Sequence, residues 1–346
     1  MPKKNKKAKQ ERDFIETDNS VWERLINDVV MNSSENQEEE KNSENLNTDT
    51  KDQTTIKPQN EKISDTSEPV DQNINNNNDS IRFTETIKLT HEAKYYSSGL
   101  STNIGKRKSQ QDAIACSNDD YSNPCDIDRI FAVLSDGMGG MNGGEKASNI
   151  CVTQMMEVLK NRGNNYPNLF YDALVGIDDA VCSLQDDFGR PLQSGATIVS
   201  FVIENGDLYW ASVGDSHLYV LHNNEMHLVT REHNYALTLQ EMVENGEISE
   251  SDALNDPKRE ALISFMGLGD MSVYDINSNP VHLEKDDIVM ACSDGLYRSL
   301  SPQEILQIIM KNKSDIPFAA HLLTSAAIEK GNPYQDNTSV ILVKKL

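Results

Sequence analysis

Ile130-Phe131-Ala132-Val133-Leu134-Ser135-Asp136-Gly137-Met138-Gly139-Gly140 passes from an apolar run straight into Ser-Asp-Gly. The run has the β-branched and aromatic content of a buried strand. An aspartate at its end is costly to bury without a partner. One Asp-Gly after a strand is an ordinary turn, but here the pattern recurs. Ile288–Cys292 leads into Ser293-Asp294-Gly295, Asp336 stands just before the last strand-like run at 339–343, and Asp112 follows Gln111 near the start of the same region. If these strand ends converge, the carboxylates repel one another unless cations neutralise them. Carboxylates, backbone carbonyls and water suit hard Mg²⁺ or Mn²⁺ rather than zinc. Gly137 would let its carbonyl approach a metal with no side chain in the way.

Outward from this stretch, 196–203 is followed by the hairpin signal Asn205-Gly206, then by 208–213, Gly214-Asp215-Ser216, 218–221 and Asn223-Asn224. That order predicts an antiparallel meander with short connections. Helical periodicity covers 145–160, 168–185, Pro302–Lys311 and 317–328. Meandering strands with grouped helices point to an α+β fold with helices packed on antiparallel sheets.

The 346 residues suit one large domain with an extension. Residues 1–80 hold 11 basic and 18 acidic residues, Glu38-Glu39-Glu40, Asn75-Asn76-Asn77-Asn78 and few aromatics. Such a segment cannot bury enough apolar surface to order itself, and a disordered acidic tail is expected. Within it, Ser20 and Glu23 have capping-box spacing, and Val21, Trp22, Leu25, Ile26, Val29 and Val30 recur at helical spacing. A short helix at 20–31 follows, either fraying, packed on the domain, or docking into a partner's groove. The net charge of −23 argues against nucleic acid as a partner. No apolar run reaches 18 residues, so no membrane partner is expected. Five cysteines without a Cys-x-x-Cys pair fit a reducing, cytoplasmic setting.

The ordered set of motifs resembles the PPM family of metal-dependent, type 2C serine/threonine protein phosphatases, in its bacterial branch. The residues are Gly105-Lys106-Arg107 through Gln111-Asp112-Ala113, then 131–140, Ser194-Gly195-Ala196-Thr197, Ala211-Ser212-Val213-Gly214-Asp215-Ser216, Ser293-Asp294-Gly295-Leu296 and Asp336-Asn337-Thr338-Ser339-Val340. The stretch from Thr230 to Gly267, with His233-Asn234 and Gly246-Glu247-Ile248, resembles the family's flap, about 231–266. The likeness covers about 93–346 and implies a four-layer α-β-β-α sandwich of two antiparallel sheets flanked by helices. It implies two Mn²⁺ or Mg²⁺ ions, with Asp136 bridging both, Asp294 and Asp336 on one, and the Gly137 carbonyl on the other. Asp112 would hold metal-bound waters, and Arg107 would clamp the phosphate. The implied reaction is hydrolysis of phosphoserine and phosphothreonine on proteins by a metal-bound hydroxide. Phosphorylated proteins are then the substrates, and a serine/threonine kinase opposes the enzyme.

Four positions depart from the family's pattern. Gln111 stands where many relatives have Glu, Met138 replaces the His of animal relatives, and His217 replaces a common Arg. Arg298 stands where relatives usually carry an Asp that helps bind a third metal, so that site is expected to be lost or rebuilt. The spacing of His217, His222 and His227 suits neither a strand face nor a helix face, which argues against a histidine metal site. Two other readings stay open: an inactive PPM-like binding module, and a hydrolase of small phosphate esters.

Overall fold

The computed structural model describes residues 85–88, 95–117, 128–140, 143–161, 163, 165–269 and 271–346. The expected tail at 1–80 and its helix at 20–31 lie outside the described residues. Two antiparallel sheets face each other. One has six strands in the order β1(Glu85–Lys88), β2(Tyr96–Asn103), β13(Thr338–Lys345), β12(Ile288–Cys292), β8(His217–His222), β9(Glu225–Leu228). The other runs β10(Asp275–Ile276), β7(Asp207–Val213), β6(Ile198–Glu204), β4(Arg129–Gly139), β3(Asp112–Cys116), with β11(Val281–His282) on β7 and β5(Ser194–Ala196) on β4.

Helices α1(Gly143–Leu159) and α2(Tyr166–Cys182) cover the seven-stranded sheet. Short α5(Asp294–Tyr297), α6(Pro302–Lys311) and α7(Ile316–Glu329) cover the six-stranded one. Each sheet is therefore covered on both faces, and its central strands carry long apolar runs, complete in β12, instead of strict alternation with polar residues. In β12, Val289 and Ala291 enter the core between the sheets while Met290 and Cys292 face the helices. In β4, Ile130, Ala132 and Leu134 face the other sheet while Phe131 and Val133 face α1 and α2. Each fully buried Ile, Val or Leu contributes about 1.5–3 kcal/mol.

Local chemistry sets the boundaries. Asn205 and Gly206 have φ of 55° and 89°, the left-handed pair of a tight hairpin between β6 and β7. Ser301 and Glu304 form a reciprocal capping box that starts α6, with Pro302 in its first turn. The meander expected over 196–221 is only half realised. β6 and β7 pair, but after Gly214 (φ 105°) the chain crosses to the other sheet, where β8 pairs with β9 and β12. Strand patterning cannot say which sheet a strand joins; the turn at Gly214 decides it. No described helix is long and apolar enough to cross a membrane.

Candidate active site and metal centre

Register brings the first two aspartates together. Asp112 on β3 and Asp136 on β4 are direct cross-strand partners. Both share the face of Ile114 and Leu134, so they point into the mouth between the sheets. Like charges directly opposite on one face destabilise a sheet. The opposing sheet supplies Asp294, the first residue of α5 behind its N-cap Ser293, and Asp336, two residues before β13. Asp215, from the crossover after β7, is the fifth acid. Its place at the mouth was not legible, because the Gly-Asp-Ser stretch reads locally as a turn.

The electrostatics follow from crowding and burial. Burial, and then the neighbouring Asp112, Asp294 and Asp336 charges, hold the Asp136 carboxyl well above the usual range. Burial first, opposed by Ser293 among others, pushes Asp112 up to about 6. Burial lifts Asp294 to about 7 against the pull of Arg298, and it also raises Asp215. The Ser293 hydroxyl donates to Asp112 Oδ2 at 2.8 Å. Asp112 Oδ1 and Asp294 Oδ1 are buried with no hydrogen-bond partner.

Two guanidiniums flank the acids. Arg107 Nη2 sits 2.5 Å from Asp336 Oδ2, with 56% of its side chain exposed. Arg298 holds Asp294 at 3.0 Å, Glu260 at 3.2 Å and Asp215 at 3.6 Å. Among the described residues, no three His, Cys, Asp or Glu side chains already form a coordination sphere. The chemistry of the donors nevertheless fits hard divalent cations. The set is all oxygen, it carries several repelling charges, and two of its buried oxygens have no partner.

The remaining motif residues build this mouth. The Asp136 amide donates to Thr197 Oγ1 at 3.0 Å, Thr197 N donates to Asp136 O at 2.8 Å, and Thr197 Oγ1 pairs with Ser216 Oγ at 2.8 Å. Asn337 accepts from Gln111 N at 2.8 Å and donates to the carbonyls of Ile104 and Ser109, closing the loop that carries Arg107. Gly137 is glycine for a packing reason. A Cβ there would lie 2.1 Å from the Gly144 carbonyl oxygen at the start of α1 and 2.7 Å from that of Gln111. The Gln111 Nε2 donates to Gly139 O at 3.0 Å.

The histidines go to separate partners: His217 to Glu232 and Tyr219, His222 to Asp287, and His227 toward Glu225. Sequence reasoning put Glu232 and Glu260 within the flap stretch but gave neither a role at the site. Both lie in a segment whose position depends on contacts distant in sequence.

The family model described as protein phosphatase 2C matches residues 96–240. The serine/threonine phosphatase stp of Listeria welshimeri is 26% identical over 222 residues, covering 62% of this chain and 84% of that protein. The serine/threonine phosphatase structure from S. agalactiae superposes with a TM-score of 0.61 at 25% identity, over 73% of this chain and all of that one. The catalytic domain of the serine/threonine protein phosphatase PstP, solved with two manganese ions, gives a TM-score of 0.56 at 21% identity, over 72% of this chain and 98% of that one. At that identity, the likeness speaks to the fold.

Proposed function

We infer, from the membership of this chain in the protein phosphatase 2C (PPM) family, that it is a metal-dependent hydrolase of phosphoserine and phosphothreonine on proteins. The observation that carries the reading is the five-aspartate mouth, with its partnerless buried oxygens and a half-exposed guanidinium at its rim. Residues 93–346 would form the phosphatase domain, with 231–266 as its flap.

Asp136, Asp294, Asp336 and the Gly137 carbonyl would hold two Mn²⁺ or Mg²⁺ ions. When bound, such ions neutralise charge on phosphoryl oxygens and lower the pKa of water. Arg107 would exchange Asp336 for the substrate phosphate, whose two oxygens match its planar fork. Asp112, buried and held by Ser293, would order the water network beside Asp136. Met138 offers no proton, so the leaving alkoxide would take one from solvent or from another group.

A phosphothreonine peptide incubated with Mn²⁺ should release phosphate, while excess chelator should abolish turnover. Robust turnover in chelator, or turnover confined to small esters, would overturn the reading. An opposing serine/threonine kinase and a cytoplasmic location belong to the same proposal.

A further inference from the structure

Segment 231–266 is fastened to the sandwich at both ends. At its start, Arg231 Nε donates to Asp275 Oδ1 at 2.9 Å, and buried His233 Nδ1 accepts from Gly214 N at 3.1 Å. At its end, Met266 and Ala196 exchange backbone bonds of 3.0 and 2.8 Å, and Ala196 is the register partner of Gly137. Between them lie helices α3(Tyr235–Glu244) and α4(Glu250–Asn255). The loop carrying Glu260 folds back onto the first turn of α3. The amides of Tyr235 and Ala236 donate to the carbonyls of Ala261 and Arg259 at 2.8 and 2.9 Å.

Two carboxylates of this segment reach toward the acid mouth. Glu232 meets His217 at 2.9 Å, and His217 stacks on Tyr297 with ring centroids 3.8 Å apart. Glu260 meets the Arg298 guanidinium, whose other edge holds Asp294 and Asp215. One rigid fork therefore spans the segment and the acids.

We propose that Arg298 is a positioning residue that couples segment 231–266 to the acid cluster, dividing its guanidinium between Glu260 and the Asp294–Asp215 pair. This rests on reading the cluster as the phosphatase centre. A divalent cation beside Asp294 competes with Arg298 for that carboxylate. The guanidinium then leans on Glu260, and cation loading draws the segment in. A protein substrate lying along the segment feels that change; a small ester in the mouth does not. A lysine at this position would keep the charge but lose the fork.

The test is amide hydrogen exchange at Tyr235 and Ala236 in the full-length protein, with and without Mn²⁺, in wild type, Glu260→Gln and Arg298→Lys. In wild type, Mn²⁺ should slow exchange about three- to fivefold, the size one part-exposed ion pair supplies. Glu260→Gln should abolish that response and Arg298→Lys should weaken it. Glu260→Gln should also raise KM for a phosphopeptide about threefold, with kcat on para-nitrophenyl phosphate held within about twofold. An unchanged Mn²⁺ response in Glu260→Gln overturns the coupling. Mn²⁺-dependent turnover with no exchange response in wild type likewise removes the coupling and leaves the phosphatase reading standing. An exchange response that depends on Glu260, without phosphopeptide turnover, leaves the coupling standing and removes that reading.

Discussion

Strand β4 carries a buried charge at its start and a half-buried one near its end, and the two are treated oppositely. At its first residue, Arg129 is 2% exposed and held by several partners. It donates to Tyr166 Oη at 3.1 Å and to the carbonyls of Leu159 and Asn161 at 2.6 and 3.1 Å, while its guanidinium lies 4.8 Å over the Phe131 ring. Tyr166 passes the contact on to Glu204 at 2.7 Å. Seven residues later, Asp136 faces further carboxylates across the mouth of the same sandwich, and partnerless oxygens lie around it. A buried charge held by several hydrogen bonds anchors the structure. A buried cluster of one sign, left short of partners, is unfavourable for folding alone and marks where a ligand of opposite sign belongs.

The contrast breaks most sharply at Asp136. On the proposed metal assignment, Asp136→Asn should lower kcat by about 10³-fold or more, because it would remove a ligand charge from the centre. The same change should raise the melting temperature of the chelator-treated protein by about 2–4 °C, through relief of repulsion worth about 1 kcal/mol. Normal turnover, or a lower melting temperature, would show that the acids are not in conflict.

Arg129→Met is the mirror experiment. It should cost about 3–5 kcal/mol in denaturant unfolding, since it strands buried partners. The fraction that folds should keep kcat within about twofold, because the two ends act independently. Loss of turnover with stability intact would reverse the assignment.

Arg107→Ala tests the exposed guanidinium of the acid mouth. It should cost about 1.5–3 kcal/mol of phosphate engagement, read as a higher KM for a phosphopeptide. A loss confined to stability would place Arg107 with Arg129 as an anchor.

The smallest effect is on pH dependence. Asp112 near 6 and Asp294 near 7 are raised by burial above the ordinary carboxylate value. The metal-free fold therefore binds these protons more tightly than the unfolded chain does. Their contribution to stability is complete below about pH 4 and is lost as pH rises through 6 to 7. A cation competes with those protons. The rise in melting temperature on adding Mn²⁺ should thus be larger at about pH 8 than at about pH 5.5, by about 2–4 °C. The opposite trend would mean that the carboxyls ionise freely.

Much of this was open to inspection in the chain. The apolar run before Asp136, the run at Ile288–Cys292 and the Asn205-Gly206 hairpin each carry their conformation in local chemistry, and the structure has them as β4, β12 and the β6–β7 turn. The acids at strand ends pointed to Asp136, Asp294, Asp336 and Asp112, and the ordered motifs added Arg107. Other elements were not open in this way. β3 is short and begins on Asp112, while α5 is a single turn, so neither has a period long enough to read.

What the sequence determined by itself is the inventory: which runs are buried, where they stop, and which acids stand at the stops, because propensity, turn chemistry and the cost of a buried charge are local. What only the tertiary structure decided is the pairing. It put Asp112 opposite Asp136, sent β8 into the other sheet after Gly214, and gave Gly137 its neighbour Gly144. It also set Arg298 between Asp294 and Glu260, a contact spanning 38 residues of chain. Such contacts depend on how the two sheets stack and where the segment between them returns, and no local preference encodes the distance between residues that meet only after the layers close.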